Sequence, residues 1–262
     1  MNDTGHYYRR DGSPLYEVPT KDGRMRGVNL AWDKALNPVP SVTTVLSVTP
    51  KPQLEIWKQN QMMLAALTTS RKDGETDEQF CSRIREEAFQ QVTDAADIGT
   101  QVHDACEKFY SDRPVLEEMQ PYVLGVVDEV GRLFPDVHDW VTEKHFAHPL
   151  GFGGRVDLHS PSMGYIVDFK GKDGDFSDAK KLAYDQHWQL APYQEGLRLP
   201  RAKCANVFFS RTHPGVVKGV LWSEQQIEEG WQFFQTSLTL WKLWKKYDPS
   251  FELGTLGPTA TH

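Results

Sequence analysis

Asp157, Asp168 and Lys170 are the residues whose types and spacing promise chemistry. They lie in residues 151–170, GFGGRVDLHSPSMGYIVDFK. Two short strands, 154–159 and 165–170, flank an SPSMG turn in which Pro161 and Gly164 act as breakers. Side chains along a strand repeat every two residues. Val156 and Leu158 therefore share one face, and Arg155, Asp157 and His159 the other. Tyr165, Val167 and Phe169 oppose Ile166, Asp168 and Lys170 in the same way. A hairpin turning about Pro161-Ser162-Met163 sets Asp157 roughly opposite Asp168. Two carboxylates and one ammonium then meet on one sheet face. Carboxylates that close repel, and a divalent cation relieves the repulsion. For an isolated D-x-K, a solvated polar face on an ordinary hairpin explains as much, so the flanking elements must decide.

Those elements read as alternating helices and strands. Residues 77–110 form a long helix, with a break expected near Asp97-Ile98-Gly99. It ends AADIGTQVHDACEKFY, where His103 and Glu107 share a face. A second helix, 116–134, stops at Pro135. Residues 138–149 read as a strand leading into the hairpin and carry Glu143, either a supporting acid or a surface residue. The turn-rich loop 171–178 leaves Lys172 as a spare cation near the site. A helix over 179–197 sets Leu182, Gln186, Gln189 and Tyr193 on one stripe, and Pro192 should kink it or free a carbonyl near Trp188. Two more strands, 203–211 and 216–223, turn at THPG. Ser223 then caps a final amphipathic helix with acids at its start and lysines at its end.

The N-terminal part is different in texture. Residues 1–40 hold DG pairs at 11–12 and 22–23, hairpin-turn signals for a small peripheral sheet. Arg9, Arg10, Lys21, Arg24 and Arg26 make that sheet either a solvated edge or a phosphate-contacting flap. Ser41, Thr43 and Thr44 either cap the next helix or offer donors to a phosphate. Residues 51–68 read as a helix with Leu54, Trp57, Met62, Leu64 and Leu67 as its apolar positions.

Composition bounds the rest. The 262 residues are 39% hydrophobic and 25% charged, a globular balance that suffices for one sizeable domain. No apolar run approaches the roughly 20 residues of a membrane span, and the first residues lack a signal-peptide core, so a cytoplasmic protein is expected. The three cysteines, Cys81, Cys106 and Cys204, form no C-x-x-C pair. That spacing argues against a zinc ribbon, a disulfide framework or an iron–sulfur cluster. A net charge of −7 excludes a globally basic nucleic-acid binder but not a local basic groove.

The order is helix with His, strand, strand with Asp, strand with Asp-x-Lys, helix with Gln-x-x-x-Tyr, strand. It resembles the PD-(D/E)XK nuclease superfamily, and within it the RecB-like and phage-type exonucleases, a branch that includes the mitochondrial genome maintenance exonuclease. The residues carrying the resemblance are G-T-Q-V-H (99–103), G-G-R-V-D (153–157), V-D-F-K (167–170) and Q-L-A-P-Y (189–193). PSVTTVL (40–46) followed by KPQLEIW (51–57) also resembles the N-terminal region of phage exonucleases of this type.

The resemblance implies an α/β fold with a restriction-endonuclease-like core. A central mixed β-sheet would be flanked by helices, with a helical arch region and a small N-terminal β element. The expected divisions are a β-hairpin flap over 1–40, a nuclease domain over 41–250 with a helical insertion at 51–110, and a flexible tail at 251–262.

It further implies a divalent-metal-dependent DNA exonuclease acting from a free end, in replication, recombination or repair of a phage or its host. Asp157, Asp168, the Phe169 carbonyl and His103 would hold one or two Mg²⁺ or Mn²⁺ ions, and no iron–sulfur cluster is expected. Lys170 would activate water and stabilise phosphoryl charge. Gln189 and Tyr193 would position the scissile strand or hold Lys170. Ser41, Thr43, Trp57, Arg155 and Lys172 would contact DNA or its phosphates, and Tyr7, Tyr8 and Trp57 either stack bases or pack in the core. Implied partners are single-stranded or duplex DNA ends and a single-strand annealing or recombination protein, with no membrane. A structure-specific or nicking endonuclease of the same fold, or a catalytically silent DNA-binding or assembly module, remains open.

Overall fold

A computed structural model describes residues 6–50, 52–176, 182 and 185–252, and for residue 53 and residues 91–96 the backbone alone. In chain order the N-terminal elements are β1 (Tyr7–Tyr8), β2 (Glu17–Pro19), β3 (Met25–Gly27), α1 (Leu30–Asp33), β4 (Val39–Pro40) and α2 (Val42–Leu46). Then come α3 (Pro52–Thr68), α4 (Asp77–Tyr110), α5 (Gln120–Leu133), β5 (Val141–His148), β6 (Phe152–Ser160) and β7 (Tyr165–Lys172). The chain continues through α6 (His187–Leu197), β8 (Lys203–Ser210), β9 (Val217–Leu221) and α7 (Glu224–Lys245). The expected α/β architecture, a mixed central sheet flanked by helices, is what these elements build.

The sheet runs β5-β6-β7-β8-β9. Only β7 and β8 pair in parallel; the other neighbours are antiparallel. A parallel pair requires a crossover rather than a tight turn, and the 173–202 connection with α6 supplies it. α6, α7 and the N-terminal segment cover one face, where Phe152, Ile166, Leu190, Phe234 and Trp241 are packed. α4 and α5 cover the other, burying Val102, Cys106, Val126, Leu158 and Val167. Both long outer helices start with a reciprocal cap: Thr76 with Gln79 on α4, Ser223 with Gln226 on α7.

The N-terminal residues are not a peripheral sheet. Both DG pairs do turn the chain, the one at 11–12 between bridged Tyr8 and Pro14 and the one at 22–23 from β2 into β3. β1, however, pairs with β4, and a parallel bridge from Ser41 to Gly153 ties the segment to β6. Tyr7, Leu15, Val18, Val28 and Leu30 are buried in the main core. Arg24 and Arg26 are engaged by Asp22 and Asp33.

Other expectations shift. α4 runs unbroken through Gly99, and the helix expected from 116 begins as a 3₁₀ turn, Glu117–Met119, ahead of α5. α6 begins at His187, so Leu182 and Gln186 precede it; residues 177–181 and 183–184, where the helix was expected to start, lie outside the described residues, as does the tail from 253. α3 packs on α4 through a small cluster of Ala65, Ile84 and Ala88. Leu54, Met62, Leu64 and Leu67 point to solvent instead.

Candidate active site

Asp157 and Asp168 stand where β6 comes apart from both neighbours. The β6–β7 ladder pairs Ser160 with Tyr165 and Leu158 with Val167, then stops one residue short of Asp157 and Asp168. Beyond it, the Phe169 N–H donates to Asp157 Oδ2 at 2.8 Å, so the carboxylate takes the place of a strand carbonyl. On the other edge, the β5–β6 register passes from Thr142–Leu158 to Lys144–Val156, skipping Glu143 and Asp157. Glu143 sits there at φ +52°, a left-handed conformation rare for a residue with a Cβ. This irregularity overturns one expectation. Val156 packs towards α6 and α7 while Leu158 packs towards α4 and α5, because side-chain alternation does not survive the interrupted pairing.

Both carboxylates are buried, at 9% and 2% exposure, and each is held by partners from several elements. Lys170 Nζ lies 2.6 Å from Asp168 Oδ2. Gln189 of α6 donates to Asp168 Oδ1 at 3.0 Å and touches Tyr193 Oη at 2.6 Å. Asn206 of β8, the parallel-ladder partner of Asp168, donates to Asp168 Oδ2 at 2.8 Å. Its own carbonyl oxygen accepts from Trp222 Nε1 at 2.8 Å. His103, about two helical turns before the C-terminal end of α4, brings Nδ1 to 3.4 Å from Asp157 Oδ1. The two glycines of G-G-R-V-D serve close approach. A Cβ on Gly153 would strike the Tyr8 ring at 2.9 Å, and one on Gly154 the Tyr193 ring at 2.9 Å.

The electrostatics divide the two acids. Burial opposes ionisation of Asp157, yet the His103 charge, Lys170 and the Phe169 N–H together hold its carboxyl below the ordinary value. Burial dominates at Asp168 and, with the Asp157 charge added, keeps its carboxyl above the ordinary value despite Lys170. For His103, burial disfavours the imidazolium, but Asp157 outweighs it and the pKa rises. Glu143 is pushed up to about 7, by burial first, against the pull of Arg155. Arg155 Nε is 2.7 Å from Glu143 Oε2, but not aligned to donate, so that buried oxygen has no hydrogen-bond donor.

A cavity of about 240 Å³ opens over this cluster. It collects His103, Asp157, Asp168, Lys170, Gln189 and Tyr193, together with Thr43 and Arg155. The other expected contacts lie elsewhere. Ser41 is buried and caps α2, accepting from the Thr44 N–H at 3.0 Å. Trp57 stays on α3, its ring 5.9 Å from the Arg211 guanidinium. Lys172 lies two residues along β7 from Lys170, and burial holds its pKa below that of an ordinary lysine. Glu107, on the His103 face, pairs with Arg113 at 2.5 Å. Tyr7 is packed in the core. Gln189 and Tyr193 keep their helical spacing across Pro192; Gln189 engages Asp168, and Tyr193 engages Gln189.

Sequence reasoning missed Asn206 and Trp222. The signal was a single polar residue in the apolar run CANVFF. It also missed His6 and Tyr16, which line the cavity beside Tyr8.

The donor chemistry fits a hard divalent cation: carboxylate oxygens and no thiolate among the cavity-lining residues. Among the described residues, no group of three or more His, Cys, Asp and Glu side chains converges as a ligand set. Two carboxylates suit an ion that keeps several waters, as Mg²⁺ does.

No known protein-family profile matches this chain, and no curated protein matches it. Among solved structures, a protein from Eubacterium rectale provisionally assigned as an exonuclease is similar over 58% of this chain and 67% of its own, at 12% identity and a TM-score of 0.40. That likeness is remote, and the reading below rests on the geometry above. No helix among the described residues is long and apolar enough to cross a membrane.

Proposed function

We propose that this chain is a divalent-metal-dependent deoxyribonuclease that hydrolyses phosphodiester bonds from a free DNA end. The observation carrying the reading is the buried Asp157–Asp168 pair with Lys170 and His103 at the floor of one cavity. Two carboxylates beside one ammonium and one imidazole have little use in a solvated hairpin, where burial would only destabilise them.

Asp157 and Asp168 would hold Mg²⁺ or Mn²⁺ with water filling its other positions, and His103 lies against Asp157. A bound ion of this kind supplies charge neutralisation at the phosphoryl oxygens and lowers the pKa of bound water. The chain's own residues do the rest. Lys170 reaches the cavity with its Nζ anchored on Asp168, placed to orient water and to donate to a phosphoryl oxygen as charge builds there. Arg155 and Thr43 line the same cavity and would grip the phosphate. Gln189, itself held by Tyr193, fixes the Asp168 carboxylate in one orientation.

The test compares linear with covalently closed circular DNA in Mg²⁺. Degradation of linear DNA only, abolished in Asp168→Asn and Lys170→Ala, is expected. Rapid cutting of closed circles would replace the exonuclease with an endonuclease, and full activity in both variants would remove the site assignment.

A further inference from the structure

The N-terminal segment sets two aromatic rings at the mouth of the same cavity. The His6 and Tyr16 ring centroids are 5.0 Å apart, tilted by 35°. Tyr16 meets Tyr8 edge-on at 5.7 Å, and its hydroxyl donates to Tyr8 Oη at 3.1 Å. Tyr8 is buried and lies over Gly153, so Tyr16 is fixed from behind. His6 is fixed through its backbone: its N–H donates to Thr44 Oγ1 at 3.1 Å, and its carbonyl accepts from the Ser41 N–H at 2.8 Å. Of the four rings at positions 6, 7, 8 and 16, Tyr7 and Tyr8 are packed away, while His6 is exposed and Tyr16 half-buried.

The cavity lining therefore combines cationic and hydroxyl groups, Lys170, Arg155 and Thr43, with two held rings. A nucleotide has the matching halves, a phosphate and a planar base, and base–aromatic stacking needs no particular base identity. We propose that His6 and Tyr16 form a stacking shelf for the nucleobase next to the scissile phosphate, so that the chain takes an unpaired nucleotide at a single-stranded end. This rests on the nuclease reading above. A base that leaves the stack of its own strand for protein rings does so at least cost when it is already unpaired.

The test uses the full chain without divalent ions and single-stranded oligonucleotides carrying 2-aminopurine at the 5′ or the 3′ terminus. Binding should quench the probe at one terminus. Tyr16→Ala and His6→Ala should each weaken binding about ten-fold and restore the fluorescence. Tyr16→Phe, which keeps the ring but loses the Tyr8 bond, should stay within about two-fold of the parent. With an abasic terminal nucleotide, Tyr16→Ala and the parent should bind alike. Equal loss on abasic and normal ends would overturn the shelf and leave the rings structural, as would equally tight binding of a blunt duplex. Failure of the parent to bind any oligonucleotide would remove the nuclease reading and the shelf together. Normal quenching with undiminished cleavage by Asp168→Asn would remove the catalytic assignment alone.

Discussion

Asp168 accepts from three side chains on three elements: Lys170 of β7, Gln189 of α6 and Asn206 of β8. Asn206 is fully buried and is itself fixed by Trp222, so it acts on the site through Asp168. Asn206→Leu removes a donor from Asp168 and an acceptor from Trp222, and each buried group left unpaired costs about 1–3 kcal/mol. Calorimetry should show the melting temperature falling by about 2–4 °C for each kcal/mol lost. A purely structural residue would stop there. Because a donor to the charged form favours it, losing Asn206 should also raise the Asp168 pKa further and move the acid limb of the cleavage pH profile upwards. Glu143 makes a separate prediction. Its folded pKa, about 7, exceeds the ordinary 4.5. Between those values the folded chain holds a proton that the unfolded chain releases, so stability falls as pH rises through the window. Glu143→Gln should abolish that slope. In urea melts the variant should gain on the parent at pH 8 but not at pH 4, and parallel pH profiles for the two proteins would count against a buried carboxyl.

At the scale of elements, α6 carries Gln189 and Tyr193, and its seat on the sheet depends on Gly196. A Cβ there would overlap the Phe146 ring of β5. Gly196→Ala should therefore push α6 outwards at an overpacking cost of about 1–3 kcal/mol. It should also take Gln189 off Asp168, so that cleavage falls more than stability alone explains. Retained activity with a lowered melting temperature would separate the helix from the site. The same elements show what the sequence conveys. The SPSMG turn predicts the hairpin and its register, because register in an antiparallel pair follows from a short turn, whereas the period-two alternation fails across Asp157. The i, i+4 spacing of Gln189 and Tyr193 holds as a contact. Asn206 was not legible, since the register of a parallel pair is set by a crossover whose geometry leaves no local pattern. Glu143 was not legible either. Its strained φ is imposed by the interruption around Asp157 and not by its own propensity. The apolar residues of α3 mislead for a third reason: helix 52–68 packs chiefly on α4, through Ala65, so Leu54, Met62, Leu64 and Leu67 have no sheet beneath them to cover.

For the whole molecule, the net charge of −7 is at odds with a polyanionic substrate only if charge is averaged over the surface. Locally, Lys170 and Arg155 line the cavity with the buried acids, and field at a cleft depends on its lining more than on the total. Its three donors compensate the second carboxylate only in part. Burial and Asp157 hold the Asp168 pKa above its ordinary value, so ionising it costs the folded chain stability, increasingly as pH rises above the ordinary carboxyl range. A divalent cation bound between the two acids would reverse that sign by favouring the ionised form. It would also bind the folded chain and not the unfolded one, which stabilises by about 2.7 kcal/mol at a hundred times its dissociation constant, or about 5–10 °C in melting temperature for a chain of this size. The gain from Mg²⁺ should thus be larger at pH 8 than at pH 5. EDTA should remove it together with cleavage, and the double variant Asp157→Asn, Asp168→Asn should show no gain while melting above the metal-free parent at pH 8, because it no longer buries two like charges. Thermal melts of both proteins with Mg²⁺ and with EDTA decide the matter. An equal Mg²⁺ gain in the double variant would place the cation elsewhere, and a double variant less stable than the metal-free parent at pH 8 would mean that His103 and Lys170 already satisfy both acids.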